Sequence, residues 1–144
     1  MKLKFRAMSV YMKHLNREIS QRQIEDVRKT GKLFLMKYSD EIDRIIRLLP
    51  ETTGKSWPKE DGNEIEVYFV EWKGSSFSHP LTLKVRKDLL LMLVILTHEL
   101  GHHLIPMKAE ESHEEINRAV EKVFKKLNID AKEQIAVMRG YQKK

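Results

Sequence analysis

The stretch DLLLMLVILTHELGHH, from Asp88 to His103, decides how the rest of the chain is read. Eight apolar residues, Leu89 to Leu96, run without a break into Thr97-His98-Glu99-Leu100-Gly101-His102. Asp88 is a good N-cap and the leucines after it are strong helix formers. Pro106 biases Ile105 away from helical geometry, so the stretch predicts a helix ending near His103 or Leu104. That helix is apolar on every side, which places it in a core. It is too short to span a membrane. Gly101 costs about 1 kcal/mol in a helix interior, so its presence predicts that another segment comes close there.

His98 and His102 are four residues apart, so a helix projects both imidazoles from one face. Two ring nitrogens at that spacing can bind one zinc ion, and Glu99, next to the first ligand, can take a proton from a water that the ion holds. The plainer alternative is a buried helix whose histidines fall at this spacing by chance. His103 points about 100° away from His102 and is expected to take no part.

His-Glu-Leu-Gly-His resembles the motif of the zincin metallopeptidases. The resemblance implies Zn2+-assisted peptide hydrolysis, with His98 and His102 as ligands and Glu99 as general base. The chain has no cysteine, which removes disulfides and cysteine-ligated metals from consideration. It also argues against peptide deformylases, whose similar motif normally comes with a cysteine ligand. Nucleases of the YbeY type have glycine where this chain has Glu99.

A catalytic zinc needs a third protein ligand and one open position. The next helix is expected over residues 108–127, with Ile116, Val120, Val123 and Leu127 as its apolar face. At 100° per residue His113 lies near that face, Glu114 nearly opposite, and Glu110 and Glu115 on the flanks. His113 to Val120 resembles the second-helix pattern of the HtpX-type and ImmA/IrrE-type peptidases, Glu-x-x-Ala-Asp or Glu-x-x-Ala-Asn. Their glutamate binds zinc, and the Asp or Asn four residues later supports the site. Aligned on Asn117, His113 takes the ligand position and Ile116 the alanine position, so this chain departs from the pattern at both. The resemblance implies His113 as third ligand, with Glu110, Glu114 and Glu115 as alternatives.

At 144 residues the chain is long enough for one domain with a proper core. Residues 1–50 hold 12 Lys/Arg against 6 Asp/Glu, and residues 51–144 hold 15 of each. The net charge of +6 thus comes from the N-terminal third. Phe5, Met8, Met12, Leu15 and Ile19 predict a first helix, stopping by Thr30-Gly31. Tyr38, Ile42, Ile45, Ile46 and Leu49 predict a second, ending at Pro50. Residues 51–63 read as a polar loop anchored by Trp57. Glu64 to Trp72 alternates as a strand does, and Ser76 to Arg86 supplies a second strand, which Pro80 suggests is at an edge. In zincins an edge strand commonly lies beside the metal, where an extended peptide can pair with it. A last short helix, Ala131 to Arg139, is expected to stop at Gly140.

The expected fold is therefore α+β and zincin-like: N-terminal helices, a small antiparallel or mixed sheet, an active-site helix and a ligand-bearing helix. The order of elements resembles the minigluzincins. Residues 1–144 are expected to form a single domain, with a basic helical part at 1–50 and a catalytic core at 64–127. No apolar segment follows the charged start, which predicts a cytoplasmic protein without a transmembrane segment. The function expected is a small zinc metallopeptidase acting on a protein or peptide. The basic N-terminal third raises one alternative, a nucleic-acid-associated protease of the SprT type, or weak contact with an anionic surface. A separate alternative is a non-catalytic zinc-binding domain that binds a partner, against which Glu99 argues. Either end of the chain is a candidate for covering the cleft. The side chain that stabilises the substrate carbonyl is open among Tyr68, His79, Arg118, Arg139 and Tyr141.

Overall fold

A computed structural model describes residues 1–106 and 111–142. The chain opens with a strand, β1 (Lys2–Arg6), and a short helix, α1 (Ser9–Leu15). A 33-residue helix, α2 (Gln21–Thr53), follows. After a single 3-10 turn (Lys59–Asp61) come β2 (Glu64–Val70), β3 (Phe77–Ser78) and β4 (Leu81–Lys84). Three helices complete the described chain: α3 (Leu89–Leu104), α4 (Glu111–Leu127) and α5 (Lys132–Gln142). The class is α+β, as expected.

The strands form one mixed sheet in the order β1-β2-β4-β3. β1 and β4 run parallel to β2, and β3 runs antiparallel to β4. Helix α3 packs against β3, β4, α2, α4 and α5, so it forms the centre of the molecule. Thirteen of its 16 residues are buried. Eight of those are Leu, Ile, Val or Met, each contributing roughly 1.5–3 kcal/mol on burial as an upper estimate. The Asp88 carboxylate caps the helix by accepting from the Leu91 amide at 3.1 Å, and Ile105 ends it, as the sequence predicted.

The N-terminal third differs from its sequence reading. Lys2-Leu3-Lys4-Phe5-Arg6 is a strand, because its alternation of charged and apolar residues matches the pleat, and pairing with β2 satisfies its backbone. Only Ser9–Leu15 of the first apolar stripe is helical. The end of the first predicted helix, from Gln21, and the whole of the second are one continuous α2. Ser20 starts it, its hydroxyl accepting from the Gln23 amide while the Gln23 side chain accepts from the Ser20 amide. Gly31 does not stop the helix: an added Cβ there would lie 2.7 Å from the Phe69 ring, so the glycine lets α2 sit directly on β2. Pro50 lies inside the helix, and the stop is Gly54, in the left-handed region with φ 69°.

The second predicted strand is also revised. Ser76 to Arg86 divides into β3 and β4 around a cis His79-Pro80 bond. β4 lies inside the sheet, and the edge is β3. Pro80 falls between the strands and so carries no information about the edge. At the C-terminus α5 runs through Gly140 to Gln142. No described helix is long and apolar enough to cross a membrane.

Candidate metal centre

Because α3 is buried all round, its polar groups are held rigidly. His98 and His102, one turn apart, point their Nε2 atoms at each other at 3.0 Å. Helix α4 brings a third imidazole. One potential ligand atom from each of His98, His102 and His113 lies within 4.8 Å of the others, and the ring centroids are 4.7, 5.2 and 5.7 Å apart. The approach of α4 depends on Gly101, where an added Cβ would lie 2.8 Å from Cγ2 of the buried Ile116. That is the close contact Gly101 foretold.

The donor set fits a metal ion. The Nδ1 of His98 bonds the Asn117 Oδ1 at 3.1 Å, which leaves its Nε2 lone pair facing the cluster. Burial holds the His98 ring neutral, with a pKa lowered to about 3, and the neighbouring His102 and His113 add to this. His102 is lowered to about 4, again chiefly by burial. Both rings are thus neutral at neutral pH, and each keeps one nitrogen lone pair that a metal ion can take. An ion bonded to two nitrogens at about 2.0–2.1 Å with near-tetrahedral angles holds them roughly 3.3 Å apart, so the observed pair needs little rearrangement. The buried Nδ1 of His102 has no hydrogen-bond partner among the described residues.

Glu99 shares this cleft. The cavity of about 390 Å³ is lined by His98, Glu99, His102 and His113, by Ser75 and Ser76 before β3 and Phe77 and Ser78 within it, and by Arg86, Met138 and Tyr141. Glu99 is 7% exposed, and burial pushes the pKa of its carboxyl up to about 7. A larger hollow of about 650 Å³ between the ends of α4 and α5 holds none of these groups.

The alternative third ligands fare differently. Glu114 faces two arginines, with Arg139 Nη1 at 3.0 Å and Arg118 Nε at 3.5 Å. Glu115 is exposed and outside the histidine cluster. Glu110 lies outside the described residues. His103 is buried but takes no part in the cluster: its ring bridges the Asp61 carboxylate at 3.1 Å and the Ser78 carbonyl at 2.8 Å, tying the 3-10 turn to β3. His79 stacks on it at 4.1 Å.

Of the five side chains considered for the substrate carbonyl, Tyr141 alone lines the cleft. Tyr68 bonds Glu66 on the sheet, while Arg118 and Arg139 are engaged by Glu114. Arg86 lines the cleft too, a role with no local sign in the sequence. Of the two chain ends, α5 reaches the cleft through Met138 and Tyr141, whereas β1 sits at the far edge of the sheet. Several basic residues of the N-terminal third are tied within the fold, Arg6 to Glu66, Arg28 to the Ala7 carbonyl and Arg44 to the Lys126 carbonyl.

The chain matches no protein-family model, no curated protein and no solved structure.

Proposed function

We propose that the protein is a small zinc-dependent peptidase. The observation that carries this reading is the buried Glu99 carboxyl lining one cleft with the three-histidine cluster. A purely structural metal site has no use for such a group, whereas hydrolysis needs a base beside three ligands and an open position. Three imidazoles suit zinc, as they also suit copper, iron and nickel, and zinc is the ion whose bound water serves hydrolysis at neutral pH.

In this reading His98, His102 and His113 hold the ion, and Asn117 fixes the tautomer and plane of His98. Zinc bound there supplies Lewis acidity and lowers the pKa of a water toward neutrality. Glu99 takes the proton of the attacking water and returns it to the leaving amine nitrogen. The short edge strand β3 borders the cleft and offers backbone groups to an extended peptide. His103 keeps that strand in place through the Ser78 carbonyl.

The test uses zinc-loaded full-length protein on an unfolded protein substrate. Cleavage is expected for the wild type and is stopped by a chelator. Glu99→Gln is expected to keep zinc and lose turnover by roughly two or more orders of magnitude. Wild-type turnover in Glu99→Gln would sink the mechanism, and zinc binding without any cleavage would favour a non-catalytic zinc domain.

A further inference from the structure

Arg86 stands between β4 and the Asp88 cap of α3, and it lines the cleft with His98, Glu99, His102 and His113. It is half-buried, yet its surroundings do not answer its charge. Its Nη1 donates to the Tyr141 hydroxyl at 3.0 Å, and its guanidinium carbon lies 4.9 Å from the centre of that ring. Both contacts are with a neutral group. Its Nε is buried and has no acceptor among the described residues. Asp26 and Glu71 border a second hollow that Arg86 also touches, but no ion pair joins either to it.

A guanidinium stays charged at any physiological pH, and an orphaned donor on a half-buried cation is costly. Its planar fork matches a carboxylate through two parallel hydrogen bonds. The Tyr141 hydroxyl engages one nitrogen and leaves the rest of the fork for an acceptor. The one carboxyl lining the cleft is Glu99, so the cleft lacks a described anion to pair with Arg86.

We infer that Arg86 is a carboxylate-binding residue of the cleft, selecting substrates that carry a carboxylate close to the bond to be cut. This rests on the peptidase reading. The carboxylate can be a chain's C-terminus or an Asp or Glu side chain, and the two are separated by choice of probe.

The probes are short acetylated peptides in two matched sets. One set differs in a free or amidated C-terminus, the other in Glu or Gln at successive positions. Binding to zinc-loaded Glu99→Gln protein is measured by calorimetry, and cleavage of the same peptides is followed with the wild type. In at least one set the carboxylate form is expected to bind about tenfold more tightly. Adding Arg86→Gln is expected to abolish that difference while the neutral peptides bind as before. Arg86→Lys keeps the charge and stem but not the fork, and is expected to retain a smaller preference, which guards against misfolding of the first variant. Equal binding of all matched pairs, a preference that survives Arg86→Gln, or no binding of any peptide would overturn the inference. Cleavage without charge preference removes the inference and leaves the peptidase reading. Arg86-dependent preference without cleavage removes that reading and leaves the carboxylate site.

Discussion

Helix α3 buries thirteen of its sixteen residues, whereas α4 buries one face, from Ile116 to Leu127, and leaves Glu114, Glu115 and Arg118 to water. Both carry histidines of the same cluster. The spacing of His98 and His102 is a property of one buried helix and cannot change without unfolding it. The place of His113 depends on how α4 docks, through Ile116 against Gly101 and Asn117 against His98. Two of the candidate ligands are therefore preset, and the third is delivered by packing.

The strongest way to break this contrast is to remove the delivered ligand. His113→Ala is expected to weaken zinc binding by more than about 100-fold, beyond the roughly 10–100-fold expected for losing the outer contact in Asn117→Ala. Glu114→Ala is expected to change little, since its carboxylate is engaged by Arg118 and Arg139. Metal titration of the three variants checks the order. Loss of binding in Glu114→Ala with none in His113→Ala would reverse it.

The burial of α3 has an electrostatic consequence that the exposed face of α4 does not share. Glu99 is held at about 7 in the fold against 4.5 for an ordinary glutamate, because burial disfavours its charge. An acid raised in this way costs stability as pH climbs from 4.5 to 7, because the unfolded chain gives up the proton first. Glu99→Gln removes that cost. In metal-free protein its stability advantage over the wild type is expected to grow across this window, up to roughly 3 kcal/mol. His98 and His102, lowered to about 3 and 4, act in the opposite sense in both proteins, weakening the fold as pH drops below 6.5. Denaturant unfolding at several pH values measures the difference, and a pH-independent gap would show that Glu99 is not held neutral by the fold.

A smaller effect sharpens the docking contact. Gly101→Ala drives a methyl into Ile116, costing roughly 1–3 kcal/mol of overpacking, offset by about 1 kcal/mol of helix propensity. Zinc affinity is expected to fall as α4 is displaced. The Gly101→Ala/Ile116→Ala double variant is expected to be more stable than the sum of its singles. Strict additivity in thermal unfolding would mean that this contact does not set the position of α4.

How much of this was legible in the sequence follows the same division. α3 was readable in full, because uniform burial, an Asp88 cap and Pro106 all act locally. Gly101 signalled close packing, and the place of His113 near the apolar face of its helix signalled that it turns inward toward His98 and His102. The N-terminal third misled because two periods coincide there: Phe5, Met8 and Met12 fall at helical spacing, while residues 2–6 also alternate as a strand. That alternation and the Ser20-Gln23 capping pair were signals that sequence reading missed. Gly31 and Pro50 look like helix breakers, but α2 runs through both, Gly31 packed on Phe69. Arg86 was invisible because its partner Tyr141 is 55 residues away.

The most direct measurement is X-ray absorption at the zinc K edge on protein loaded with one equivalent of zinc, compared with His113→Ala. The expected result is a four-coordinate site with three imidazole nitrogens at about 2.0–2.1 Å, falling to two imidazoles in the variant. An unchanged imidazole count in His113→Ala, or a wild-type site with two imidazoles and a carboxylate, would contradict the three-histidine centre.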